Sequence, residues 1–289
     1  LANKIQQLMI FFSLLIPDMT NEEEQLLDEA LIKTYADYGI THDNESVYED
    51  ATVSPPKMKQ MPILGDLHKR LLENKMTERI AVIVSRFVTG SAQSFNRQTN
   101  VDLSNKYIVF DLSELKGKLL PVGMMIALDY IWDSVKKDLT KKKAVMIDEI
   151  WKLVGTSSNK QAAEFCLTIF KTIRGFGGAA VSATQDLSDF FGLEDGKYGR
   201  AIINNSKNKI ILNLEPDEAK YVQDVLKLTK TEIQSITRFE RGEALIYSNN
   251  NKVPVLVKAS KVEHEMITTD RAELEAILRE RQKEHTHFE

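Results

Sequence analysis

Apolar residues recur at helical spacing through the first hundred positions, then gather into short continuous runs after Lys106. Lys4–Leu15 is apolar-rich with helix spacing and predicts a helix. Thr20-Asn21-Glu22-Glu23 is a capping box, with Thr20 as N-cap and Glu23 reaching back. The helix it opens carries Leu26, Leu27, Ala30, Leu31, Tyr35 and Tyr38, and Gly39 can close it. Residues 41–57 are polar and end in Pro55-Pro56, an exposed loop. Helices follow at about 63–75 and 77–89, the second stopped by Gly90. No strand is expected before Lys106. Residues 1–100 therefore read as an all-α lobe.

The texture then changes to alternating strands and helices. Tyr107–Asp111 predicts a buried strand, and residues 119–137 a helix with Met124, Met125, Leu128, Ile131 and Trp132 at core spacing. Lys143–Ile147 is the next strand, 158–174 a helix, and Gly177-Gly178 turns into a strand over Ala179–Ala183. Ile202–Asn205 leads to a strand at Lys209–Leu214, and Pro216 opens a helix over 216–227. A hairpin pairs Glu243–Tyr247 with Val253–Lys258 around Asn249, Asn250 and Asn251. A charged helix at 269–283, capped by Thr269 or Asp270, ends the pattern. Strands spaced by helices of this length imply βαβ units and an α/β core with a mostly parallel sheet over residues 101–289.

Composition narrows the function classes. A net charge of −4 argues against whole-molecule electrostatic binding of nucleic acid, leaving room for a local basic patch. One cysteine, Cys166, excludes an internal disulfide framework and fits a reducing compartment. The longest apolar run, Leu8–Ile16, is far short of the ~20 residues of a spanning helix, and no basic segment precedes it. His42, His68, His264, His285 and His287 lack metal-ligand spacing, and the last two read as a frayed end. The chain opens on Leu1 and reads as a piece of a longer protein.

The chemistry concentrates at one strand end. The run Ala144–Ile147 ends on Asp148-Glu149, the pattern of a Walker B element: an Asp carried to the edge of a sheet to hold a Mg²⁺ shell, followed by a carboxylate that polarises water. Thr184-Gln185 ends the following strand, and Arg174-Gly175-Phe176-Gly177-Gly178 lies between them. In a parallel sheet, strand C-termini share one crevice, so Asp148, Glu149 and Gln185 are expected on one edge. Gln185 offers an amide to the γ-phosphate or the attacking water. Arg174 reads either as an arginine finger delivered to a neighbouring subunit or as a cation at a helix C-terminus. Lys207 and Lys209 read as a solvated basic edge. The usual partner of such an edge, a G-x-x-x-x-G-K-[ST] phosphate loop, is absent from these 289 residues.

An ordered set of segments resembles the large ATPase of type IV secretion and conjugation systems. Asp148-Glu149-Ile150-Trp151-Lys152-Leu153 resembles its D-E-A-W-K-L element, with Ile150 in place of Ala. Phe87-Val88-Thr89-Gly90-Ser91 and Phe95-Asn96-Arg97-Gln98-Thr99-Asn100 resemble its F-x-x-G-x and F-N-x-x-T-N segments. Phe110-Asp111-Leu112-Ser113, Arg174-Gly175-Phe176-Gly177-Gly178 and Thr184-Gln185-Asp186 resemble its F-D-L-S, R-K-x-G-G and T-Q-D elements in order, with Gly175 where a basic or polar residue is common. The resemblance implies a RecA-like P-loop NTPase core of the FtsK–HerA class with an inserted helical lobe. It also implies ATP hydrolysis with Mg²⁺, a hexameric active state, attachment to an inner-membrane secretion channel and a cytoplasmic location at the inner face of the membrane. ATP would then drive pilus assembly or the export of DNA or protein. Because the family carries its phosphate loop upstream, the chain by itself is expected to be inactive. Two readings stay beside this one: a DNA-pumping coupling protein or chromosome translocase of the same fold, and a non-catalytic scaffold. A metal nuclease built on Asp148 and Glu149 lacks a third acid by motif.

Overall fold

The computed structural model describes residues 1–54, 56–100, 105–117, 119–156, 158–249 and 251–286, with side chains through Arg279. Pro55, Asn250 and His287, read from the sequence as loop, turn and frayed end, lie outside the described residues. The chain divides into two compact units, Leu1–Asn205 and Ser206–Glu289.

The first unit begins with α1 (Ala2–Leu15) and α2 (Asn21–Asp37). The turn between them is built by the expected box: Thr20 Oγ1 accepts from the Glu23 N–H at 3.2 Å, and Glu23 Oε2 accepts from the Thr20 N–H at 3.0 Å. Arg79 bridges Glu23 at 2.8 Å and Asp18 at 2.6 Å. A short antiparallel pair follows, β1 (Tyr48–Asp50) with β2 (Lys57–Met58). This pair was not expected, because two- and three-residue strands in a polar loop carry no alternation to read. Then come α3 (Leu64–Leu72) and α4 (Glu78–Val88), packed against each other. Phe12, Leu27, Leu71, Ile80 and Val84 are fully buried and join the helices into one core. Burying each such side chain stabilises the fold by ~1.5–3 kcal/mol before chain entropy is counted.

The same unit continues with α5 (Leu119–Lys137), β3 (Lys143–Ile147), α6 (Trp151–Val154), α7 (Lys160–Thr172), β4 (Gly178–Ser182), α8 (Leu187–Phe190) and α9 (Lys197–Asn205). α1 packs on both α5 and α7, so the helical segment rests directly on the α/β part. β3 and β4 are parallel and in register from Lys143↔Gly178 to Ile147↔Ser182. Val145 and Ile147 point into the core, whereas Met146, on the opposite face, is 75% exposed.

One expectation needs correction here. Tyr107–Asp111 is not a strand: Tyr107 and Val109 are 84% and 70% exposed. A strand exists only where a neighbour takes up its N–H and C=O groups, and β3 pairs with β4 alone among the described residues. Residues 202–205, expected to lead to a strand, close α9 and are followed by a strand at Asn208–Ile211.

The second unit holds β5 (Asn208–Ile211), α10 (Pro216–Leu226), α11 (Lys230–Ile236), β6 (Glu243–Ser248), β7 (Asn251–Leu256), α12 (Lys261–Ile267) and α13 (Arg271–Thr286). Pro216 occupies the first turn of α10, as its fixed φ suits. Asp270, and not Thr269, caps α13: its Oδ1 accepts from the N–H of Ala272 at 2.9 Å and of Glu273 at 3.0 Å. β5–β6–β7 is antiparallel throughout. Parallel pairing is therefore confined to β3–β4 among the described residues, and the expectation of a mostly parallel sheet is met only there.

Candidate active site

The parallel register of β3 and β4 builds the site. Both strands end at the same level, and the ladder continues past them. Ala183 N–H donates to Ile147 C=O at 3.0 Å, and Ile150 N–H donates to Ala183 C=O at 3.2 Å. Asp148 and Glu149 leave the sheet from one strand, and Thr184 and Gln185 leave it from the next. The sequence-predicted Asp148, Glu149 and Gln185 are thus brought to one edge, the C-terminal edge where open α/β sheets bind ligands.

Each group on this edge is held locally. Asp148 is exposed, and its Oδ1 accepts the Glu149 N–H at 2.9 Å, leaving Oδ2 without a protein partner among the described residues. Glu149 adopts φ +51°, a left-handed conformation rare outside glycine. Its carboxylate Oε2 accepts a hydrogen bond from the Trp151 indole N–H. Lys152 Nζ lies over the Trp151 ring, 3.5 Å from its centroid. On the neighbouring loop, Thr184 Oγ1 donates to Asp186 C=O at 3.2 Å. Asp186 caps α8, its Oδ1 accepting from the Asp189 N–H at 2.8 Å and from Ser188 Oγ at 2.9 Å. Gln185 itself is exposed between these fixed points.

A second tie joins the two halves of the edge. Thr156, just past α6, donates its N–H to Asp189 Oδ1 at 3.1 Å and adds its hydroxyl to the same oxygen. The Walker B turn and the Gln185 loop are thereby linked through α6 and α8. Sequence reasoning missed Thr156, Asp189 and the role of Trp151. The Asp186-x-x-Asp189 spacing of a helix start was there to be read. No pattern in the sequence announces the Thr156 contact, which spans distant segments.

Arg174 lies elsewhere. It sits in a 3₁₀ turn, Ile173–Phe176, that feeds the N-terminal end of β4. The five-residue strand separates it from the Gln185 end by roughly 16 Å. Within one chain, Arg174 does not join Asp148 and Glu149. Its side chain is exposed with no ion-pair partner among the described residues. Of the expected basic edge in the second unit, Lys209 lies 5.0 Å from the Tyr247 ring, and partial burial pushes its ammonium down from the ordinary lysine value.

The donor set tests the expected cofactor. No group of three or more His, Cys, Asp or Glu side chains is positioned for a metal among the described residues. Mg²⁺ does not need one: it keeps several waters and takes one or two carboxylates beside substrate phosphates. Asp148, with one free oxygen on an exposed edge, fits that role, chiefly through water.

Comparison with known proteins identifies the family. Residues 73–286 match the TraG P-loop domain. The chain belongs to that family. Among curated relatives of this TraG-type domain, TraC of Escherichia coli K12 is 29% identical over 158 residues, 53% of this chain and 18% of that protein. The DNA double-strand break repair helicase HerA of Sulfurisphaera tokodaii is 26% identical over 174 residues, 57% of this chain and 34% of that protein. This chain thus spans about a third of the one relative and about a fifth of the other. The structure of VirB4 from Thermoanaerobacter pseudethanolicus superposes with a TM-score of 0.81 at 25% identity, covering 91% of this chain and 70% of that one. The conjugative coupling protein TrwBΔN70 shares the fold alone, with a TM-score of 0.52 at 14% identity over 89% of this chain and 69% of that one. The RecA-like fold and the kinship with type IV secretion ATPases of the FtsK–HerA class follow from these matches.

Proposed function

We propose that this chain carries the metal- and water-facing edge of an ATP-hydrolysing motor in a type IV secretion or conjugation machine. The observation that supports the reading best is the β3–β4 register, which delivers Asp148, Glu149 and Gln185 to one edge within the segment that matches the TraG P-loop domain. Mg²⁺, when bound, neutralises phosphate charge. Asp148 orients it through water, Glu149 polarises the attacking water, and the Gln185 amide donates to the γ-phosphate or to that water. Arg174, remote from this edge in its own chain, serves the site of a neighbouring subunit in a hexamer. The proposal takes residues 1–100 as a helical lobe and 101–289 as the motor core. The phosphate loop comes from sequence outside this chain, so the chain alone hydrolyses no ATP.

The same kinship supports a setting for the motor in this proposal. The motor works at the cytoplasmic face of the inner membrane, joined to secretion-channel proteins, and exports protein or DNA. No helix among the described residues is long and apolar enough to cross a membrane. The match to HerA, named as a DNA-repair helicase, keeps a DNA-pumping role as the second reading. Binding to duplex DNA that weakens steeply with salt would favour it; binding that ignores salt would speak against phosphate contacts.

The test is steady-state hydrolysis by the full-length protein against its Glu149→Gln form. The amide keeps size and nucleotide binding but cannot take a proton. Turnover should fall by roughly 10²–10⁴-fold with ATP affinity retained. Normal turnover in the variant would remove Glu149 from this role.

A further inference from the structure

We infer that Trp151 is a positioning residue that holds the Glu149 carboxylate in its working orientation; the inference rests on the proposed role of Glu149. Glu149 stands at φ +51°, where the chain leaves β3. The turn is then closed twice. Ile150 is fully buried and its N–H is bonded to Ala183 C=O, while the Lys152 N–H bonds Glu149 C=O at 3.0 Å. That geometry carries the Trp151 indole back to Glu149, where its N–H donates to Oε2.

The chemistry of the pair is selective. An indole N–H only donates, so it engages an ionised carboxylate and offers nothing to a competing donor. With Oε2 occupied, Oε1 is the oxygen left to meet a water. The Lys152 ammonium, 3.5 Å from the ring centroid, pins the indole from its face. It also draws density from the ring and makes the N–H a stronger donor. Trp151 is half-buried, and its one polar atom goes to the carboxylate assigned the chemistry. Fixing a general base in one rotamer matters because small errors of aim cost rate: a displacement of about 1 Å can cost on the order of 10²-fold.

Two measurements test this. The chain has two tryptophans, Trp132 and Trp151, so its ¹H–¹⁵N spectrum holds two indole signals. The Trp151 signal, assigned with Trp151→Phe, should move upfield in Glu149→Ala while that of Trp132 holds. An unmoved Trp151 signal overturns the contact. In the full-length protein, Trp151 is replaced by β-(3-benzothienyl)alanine, which keeps the ring shape but has no N–H. The expected result is a kcat lower by about 10–100-fold, with KM for ATP and the unfolding temperature unchanged. Unchanged kcat, alongside a dead Glu149→Gln protein, overturns the role of Trp151 and leaves that of Glu149 standing. Normal turnover in Glu149→Gln removes both.

Discussion

Lys143 shows how much one side chain can organise. Its ammonium donates to the carbonyls of Val135 at 2.7 Å and Phe176 at 2.9 Å, and also to Asp138. Those carbonyls belong to the end of α5 and to the 3₁₀ turn before β4, so one cation collects the chain ends around the N-terminal edge of the sheet. Lys143→Met should lower the unfolding free energy by about 1.5–3 kcal/mol, measured by urea titration, because charge-assisted bonds are lost and partly buried carbonyls are left without a donor. Cys166 offers a second test at this scale. Complete burial in α7 pushes its thiol up to about 12. The protonated form then persists well above pH 8, and the thiolate is the nucleophile. A chromogenic disulfide reagent should leave the native protein unmodified at pH 8 and react fully in guanidinium. Rapid native reaction would show that α7 opens readily.

Among the elements, the start of α2 rests on its capping box, and Thr20→Ala should cost about 1 kcal/mol in the same titration. The Thr20 N–H, followed by Arg79, holds the Glu23 carboxyl below its ordinary 4.5. A depressed acid contributes stability that is present above its unfolded value and lost as pH falls through the folded one. The gap between the native protein and Glu23→Gln should therefore be widest near neutrality and close as pH drops below 4.5. Gly177 marks another element boundary. It stands at φ +71°, and an added Cβ would meet Lys141 O at 3.0 Å. Gly177→Ala should destabilise by more than the ~1 kcal/mol of conformational strain, since the backbone oxygen must also give way. These boundaries were legible because they depend on neighbours within a turn. α5 and β3 begin and end where apolar spacing and the lysines around them say they should. Tyr107–Asp111 was misread for the opposite reason: its run is apolar enough for a strand, but strand formation depends on a pairing edge that local pattern does not contain.

At the scale of the whole molecule, Arg174 is the test of assembly. If it serves a neighbouring subunit, Arg174→Ala should reduce hydrolysis by the full-length protein, on the order of 10³-fold for a finger. Mixing it with subunits carrying Glu149→Gln should restore part of the activity, since each supplies what the other lacks. Absence of rescue would assign Arg174 a role inside its own chain. The sequence by itself determined the helices of the first hundred residues, the cap at Thr20, the strand that ends on Asp148-Glu149, and the ordered segments that mark the TraG-type domain. Such features are written in residues a few positions apart, where backbone dihedrals, capping and side-chain period act. Only the tertiary structure decided the register in which β3 and β4 pair, that Thr156 ties to Asp189, and that the Trp151 indole turns back onto Glu149. Those relations depend on which strands pair and how a turn closes. They arise from long-range hydrogen bonding and close packing, which the order of residues constrains without spelling out.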